Sequence, residues 1–373
     1  MANEKTVLIL TSAEGHKSIA DALVSELASE YLPVLRAYRP KIFDTYTPFY
    51  QFFPSFIKIP YKIGEFESSM LLARTFAQKQ FGKLIRSYIH ETKPHAVIST
   101  YFLYDDIAAA ECMRLHIPFY AVVTDPLTFH PISITASSTR TLLFSEQTYN
   151  RAKELNIPLH PHCEITGWFV RPKFTQTTKH TRDHYRKLLG LQEDLLTFTV
   201  CGGSDGTMMI LKVLPALFYL KKRLQVVIMC GSNKQLFQAV KAFARLYSFV
   251  MKKSEITLLP LQFVNNMDEY MRASDLVIGK AGPNLIFESV ATHTPFFAVT
   301  HISGQEDGNL EIIKKEKLGF VQEDPFKAIR LLRSIIARPS QLKKFDQSLK
   351  ILADYNNLAG KKLFVLLQKD LFR

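Results

Sequence analysis

Residues 276–300 read LVIGKAGPNLIFESVATHTPFFAVT. An apolar run, Leu276 to Ile278, has the length and branching of a buried strand. Gly279, Gly282 and Pro283 then force a turn, because glycine accepts close backbone approach and proline fixes its own φ. A helical pattern over 284–292 follows, and a second apolar run, 295–300, reads as another strand. Strand, glycine turn, helix and strand in under thirty residues make a βαβ unit, and such units build parallel sheets.

The same grammar extends in both directions. Downstream of residue 182 the runs LTFTVCGG (196–203) and QVVIMCG (225–231) are strands ending in glycine, with helices over 206–222 and 233–248. LQFVNNMDEYMRASDLVI (261–278) reads as a strand end and turn followed by a short helix, with Phe263 near the strand end. Upstream, TVLIL (6–10), HAVIST (95–100), FYAVVT (119–124) and TLLFS (141–145) are strands. Helices fit over 16–30, 105–115 and 146–155. RPKFTQTTKHT (171–181) is polar and aperiodic and reads as a linker. The expectation is two doubly wound α/β domains, residues 1–170 and 182–373, with the last helix able to pack back on the first. Ligands in such sheets bind beyond the carboxyl ends of the strands, where every glycine turn named here falls.

The 373 residues suit two cores, and an apolar fraction of 47% argues for globular folding. Cys112, Cys163, Cys201 and Cys230 lack CxxC or CxxH spacing and read as buried thiols of a reducing compartment. No stretch has the length of a signal peptide core or a membrane span. The net charge of +13 is uneven: residues 1–170 hold 16 basic and 16 acidic side chains, and residues 171–373 hold 31 and 18. A basic second half attracts phosphate, on a nucleotide, a nucleic acid or an anionic lipid; a merely soluble basic surface is the plainer alternative.

Four stretches carry candidate chemistry. CGGSDG (201–206) places Gly203 and Ser204 where a helix start presents amides to phosphate, or is simply a tight βα turn. Glu288, in the helix after Gly282–Pro283, suits the two hydroxyls of a ribose, or is a solvated helix glutamate. ISGQEDGN (302–309) offers Gln305 and Glu306, donors and acceptors for sugar hydroxyls, or is an exposed loop with a cap. TSAEGHKS (11–18) sets His16 at a strand-to-helix turn, as a cap or packing residue or as a base. Residues 43–63, FDTYTPFYQFFPSFIKIPYKI, hold eight Phe or Tyr and three Pro. They pack on a core, or they form an aromatic surface for a lipid headgroup layer.

The order of these motifs resembles that of the monogalactosyldiacylglycerol synthases and processive diacylglycerol glucosyltransferases, lipid transferases of glycosyltransferase family 28 with the GT-B fold. Here the family pattern stands as QFVNNMDEYMRASDLVIGKAGPNLIFES and ISGQEDGN in the second half. In the first half it stands as VVTDPLTFHP (122–131), FSEQTYNRAKELNIP (144–158) and ITGWFVRPKF (165–174). The resemblance covers nearly the whole chain. It implies two Rossmann-like domains facing across a cleft, a UDP-glucose or UDP-galactose donor on the second, and inverting transfer of the hexose to diacylglycerol or a related membrane lipid. By the same resemblance Glu288 holds the ribose, the backbone at Phe263 and Val264 takes the uracil, and Gly203, Ser204, Gly282, Pro283 and Asn284 meet the diphosphate. Gln305 and Glu306 face the sugar. His16 is the general base, with Asp125 to orient its imidazole. Phe49, Tyr50, Phe52, Phe53 and Phe56 fall in the acceptor and membrane region. No metal, no further cofactor and no nucleic acid are implied; the expected place is the cytoplasmic face of an anionic membrane.

This sequence departs from the pattern at Ala13 and Glu14, which replace glycines, and at Asn284 and Leu285, where a threonine hydroxyl is lost. The N-acetylglucosamine transferases of peptidoglycan synthesis are the nearest rival, but their closing loop fits less well than GQEDGN. UDP-sugar 2-epimerases share the fold and leave the aromatic segment unexplained. A non-catalytic protein that binds UDP-sugar or lipid is the rival of another class.

Overall fold

A computed structural model of the chain describes residues 5–12, 15–38, 67–128, 130–135, 137–154, 157, 163–202, 223–251 and 256–372. Two compact units emerge. The first comprises Met1–Pro172, Ser303–Gly308 and Asp354–Arg373, the second Lys173–Ile302 and Asn309–Ala353.

Among the described residues the first unit has six strands: β1 (Thr6–Thr11), β2 (Leu32–Ala37), β3 (Ala96–Ser99), β4 (Phe119–Val122), β5 (Arg140–Leu143) and β6 (Cys163–Ile165). They pair in the order β2-β1-β3-β4-β5-β6, every pair parallel. Val7 to Leu10 are wholly buried, as they must be in a strand covered on both faces. Their removal from water contributes about 2 kcal/mol per side chain. Helices Gly15–Leu27, Glu67–Thr92, Phe102–Arg114 and Glu146–Glu154 follow β1, β2, β3 and β5. Phe81, Ile85 and Ile89 of the second pack with Tyr104, Ile107 and Ala108 of the third in the core.

The second unit repeats the plan with β7 (Leu196–Cys201), β8 (Leu224–Met229), β9 (Ile256–Leu261), β10 (Leu276–Lys280), β11 (Phe296–Thr300) and β12 (Gly319–Val321). The order is β12-β11-β10-β7-β8-β9, again wholly parallel. This is the doubly wound order of dinucleotide-binding folds. Gly279 lets the helix Pro283–Ala291 close onto the sheet: a Cβ there would stand 2.6 Å from Leu285 Cδ2.

The strands read from sequence are present, with LTFTVCGG ending at Cys201. The helix expected over 206–222, together with Gly203 and Ser204, lies outside the described residues, as do Phe49, Tyr50, Phe52, Phe53 and Phe56. The linker 171–181 contains one helical turn, Pro172–Thr175, and ends at Thr181, whose hydroxyl caps the helix Arg182–Leu188. Edge strands β2, β6 and β12 are not apparent from the sequence; none of them has a fully buried residue, so their apolar signal is weak.

The C-terminal segment belongs to the first unit for a physical reason. Asp370 receives Arg140 Nε at 2.6 Å and Nη2 at 2.8 Å, and Tyr120 Oη at 2.8 Å. Arg140 is on β5 and buried, so its charge requires this bidentate partner. Asn356 Oδ1 accepts from the Trp168 amide at 3.0 Å, and Tyr355 Oη donates to the Phe144 carbonyl at 2.8 Å. No helix of the described residues is long and apolar enough to cross a membrane.

Candidate active site

In each sheet the chain direction of winding reverses at one point, and ligand sites of this fold form there. In the first unit that point lies between β1 and β3. His16 stands just beyond β1, as the second residue of the helix Gly15–Leu27, and Thr100 and Tyr101 stand just beyond β3. His16 Nδ1 lies 2.8 Å from the Thr100 carbonyl and 3.1 Å from Thr124 Oγ1. A carbonyl only accepts, so Nδ1 carries the proton and Nε2 keeps its lone pair. The Tyr101 ring meets the imidazole edge-on, with centroids 5.0 Å apart. Burial, partly offset by the Thr100 bond, lowers the His16 pKa to about 4, so the ring is neutral at pH 7. A neutral imidazole with a fixed tautomer can accept a proton at one defined atom.

The orienting role expected of Asp125 is thus taken at Nδ1 by a backbone carbonyl. Asp125 instead lies with Gln305, whose Nε2 is 3.5 Å from Asp125 Oδ1. Ser303–Gly308 falls within the first unit. The Gly308 amide donates to Thr128 Oγ1, and a Cβ at Gly308 would stand 2.8 Å from Leu127 Cβ. Glu306, in the same loop, is buried.

Thr100, Tyr101 and Thr124 did not stand out as site residues in the sequence. Thr124 belongs to VVTDPLTFHP, but only the pairing of β3 with β1 brings residue 100 to residue 16. Asp105 is buried, its Oδ1 without a hydrogen-bond partner among the described residues. Burial holds its carboxyl well above the usual carboxylate range, against a hydrogen bond from Ser99. Ser99 Oγ in turn accepts from the Tyr101 amide at 3.2 Å, bracing the turn that holds His16.

In the second unit the reversal lies between β7 and β10. The turn after β10 is tight: Gly282 N donates to the Lys280 carbonyl at 2.7 Å, and Ala281 N to Thr300 at 2.8 Å. Asn309, 1% exposed, donates Nδ2 to the Ala281 carbonyl at 2.8 Å, and its Oδ1 is buried without a hydrogen-bond partner among the described residues. Pro283 opens the helix Pro283–Ala291 and Gly282 provides no side-chain cap, so the first-turn amides face the carboxyl edge of the sheet. Asn284 sits in that first turn. Glu288, one turn on, is 6% exposed and hence not a solvated helix glutamate. It lies near the end of β7: burial, and then the Glu288 charge, push the Cys201 thiol up. Phe263 and Val264 follow β9 at the same carboxyl edge, Phe263 with 63% of its surface exposed. This unit therefore gathers Glu288, Gly282, Pro283 and Asn284 around one switch point, with Phe263 and Val264 two strands away.

Residues 197–322 match the glycosyltransferase family 28 C-terminal domain. The chain is 27% identical over 403 residues to the probable chloroplastic monogalactosyldiacylglycerol synthase of Nicotiana tabacum, covering 96% of this chain and 72% of that one. Its fold resembles MurG of Acinetobacter baumannii, with a TM-score of 0.60 at 14% identity, covering 98% of this chain and 99% of that one. It equally resembles the UDP-GlcNAc 2-epimerase of Neisseria meningitidis bound to UDP-GlcNAc, with a TM-score of 0.60 at 13% identity, over 98% and 100% of the two chains. Architecture alone does not separate transferase from epimerase. The matched domain and the two parallel sheets make this chain a glycosyltransferase of GT-B architecture. More particularly, it is a relative of the monogalactosyldiacylglycerol synthases.

Proposed function

We propose that the protein transfers galactose or glucose from a UDP-sugar to diacylglycerol or a related lipid at a membrane surface, inverting the anomeric centre. His16 Nε2 takes the proton of the acceptor's primary hydroxyl. That oxygen forms the new bond to the anomeric carbon as the bond to the diphosphate breaks, and UDP leaves with the electron pair. The helix start at Gly282, Pro283 and Asn284, with Gly203 and Ser204, stabilises the charge on the departing diphosphate. Glu288 accepts from the ribose hydroxyls, the backbone at Phe263 and Val264 takes the uracil, and Gln305 and Glu306 select the sugar. Asp125 acts through its contact with Gln305.

The observation that supports this reading most directly is the Nδ1–Thr100 bond, which leaves His16 one lone pair in a site at the end of β1. The low pKa of the unliganded ring suits it: an approaching diphosphate raises the basicity of an imidazole, so the base strengthens as the complex forms. The likeness to named lipid galactosyltransferases over nearly the whole chain favours this reading over the peptidoglycan transferase and the epimerase.

The test is transfer from labelled UDP-galactose and, separately, UDP-glucose to diacylglycerol in mixed vesicles. Glycolipid from one donor, abolished in His16→Ala while UDP binding persists, is the expected result. UDP binding without glycolipid from either donor would favour a binding protein on a transferase fold.

A further inference from the structure

The helix Lys234–Val250 carries two apolar faces. One, with Leu236, Val240 and Tyr247, is buried in the core of the second unit beneath β8 and β9. A surface helix ordinarily needs only that stripe. The other comprises Leu246, Phe249 and Val250, with 56%, 70% and 58% of their surface exposed. Spaced i, i+3, i+4, they lie together on one side of the last turns. Scattered exposed apolar side chains need no explanation, but a contiguous cluster beside cations marks an interaction surface. Arg245 precedes the cluster and Lys241 stands one turn before Arg245 on the same face.

The sequence that contains the helix is strongly basic. Residues 206–254 contain nine Lys or Arg and no Asp or Glu. This local excess accounts for most of the +13 carried by the chain, and one nucleotide diphosphate does not require it.

We infer that this face is a foothold of the second unit on an anionic lipid bilayer. Leu246, Phe249 and Val250 enter the boundary between headgroups and acyl chains, and Lys241 and Arg245 meet lipid phosphates while their stems lie along the apolar surface. A bilayer offers both an apolar interior and a negative surface. A second copy of this chain would set Lys241 and Arg245 against their own counterparts, and a nucleic acid offers no apolar layer for Leu246 and Val250. The inference deepens the lipid-acceptor reading and takes its purpose from it. Binding is nevertheless measured without donor or diacylglycerol, so the two can fail separately.

The test uses the full chain with vesicles of phosphatidylcholine alone or mixed with phosphatidylglycerol. Native protein should partition onto the anionic vesicles, less so as salt rises. K241Q/R245Q should lower the partition coefficient about thirty-fold at low salt, about fivefold for each cation removed. L246Q/F249Q, which adds no charge to the helix C-terminus, should also lower it while the circular dichroism stays that of native protein. The one native tryptophan, Trp168, is buried, so a blue shift on adding anionic vesicles that F249W shows and native protein does not reports this face. Unchanged partitioning in both double variants, or no blue shift, overturns the inference. A concentration-dependent blue shift without vesicles, with a doubled mass in solution, would overturn it in favour of a second copy.

Discussion

Acidification from pH 7.5 to 5 should weaken the first unit through His16 in particular. The folded ring has a pKa of about 4, against 6.5 when exposed. The native state therefore prefers the neutral imidazole, and the unfolded state binds a proton more readily. Above pH 6.5 both states are neutral and His16 contributes no pH dependence. As the pH falls below 6.5 the unfolded chain takes up the proton first, so stability declines until the folded ring also titrates near pH 4. From the two pKa values the loss between pH 7.5 and 5 is about 2 kcal/mol. His16→Gln cannot titrate and should lack this component, whatever constant cost its lost packing brings. The measurement is urea unfolding of both proteins at the two pH values, followed by Trp168, which lies in the first unit. The stability difference between native and His16→Gln should change by about 2 kcal/mol. Parallel pH dependence would refute the neutral, partly buried imidazole. An acid limb of kcat/KM near pH 6.5 in the native enzyme would refute it independently, because the free-enzyme base should remain competent down to about pH 4.

Replacing Glu288 by Gln keeps its volume and removes an ionised acceptor; UDP affinity by calorimetry should fall about tenfold or more, and an unchanged Kd would remove Glu288 from the donor site. Asp370→Ala should destabilise the first unit by about 3 kcal/mol, because the buried Arg140 keeps only Glu164 as an ionic partner among the described residues; a loss below about 1 kcal/mol in urea unfolding would contradict the account. Burial raises the Asp105 pKa well above its ordinary range, so the stability this carboxyl contributes, complete below the unfolded pKa, is lost as the pH rises, opposite in sign to the His16 component. Asp105→Asn should not show that loss and should melt higher than native protein at pH 7; a lower melting temperature at pH 7 would show that the buried carboxyl is needed as such.

By itself the sequence of this protein determined two parallel α/β units and the succession of glycine turns. Strands covered on both faces must be continuously apolar, as in TVLIL and LVIGKAG, and that signal is local. Gly282, Pro283 and Glu288 were legible for a similar reason: turn, helix start and carboxylate are fixed within seven residues of chain. Only the tertiary structure decided what surrounds His16. Thr100 and Thr124 arrive from β3 and β4, more than eighty residues away, and the choice of a carbonyl over Asp125 at Nδ1 depends on sheet pairing. Tertiary structure also decided that the last helix belongs with the first unit, because the Arg140–Asp370 pair joins residues 230 positions apart. The face at Leu246, Phe249 and Val250 shows the same division. Periodicity makes that helix amphipathic, but which apolar stripe the core takes, and which it leaves outside, is settled only by the packing against β8 and β9.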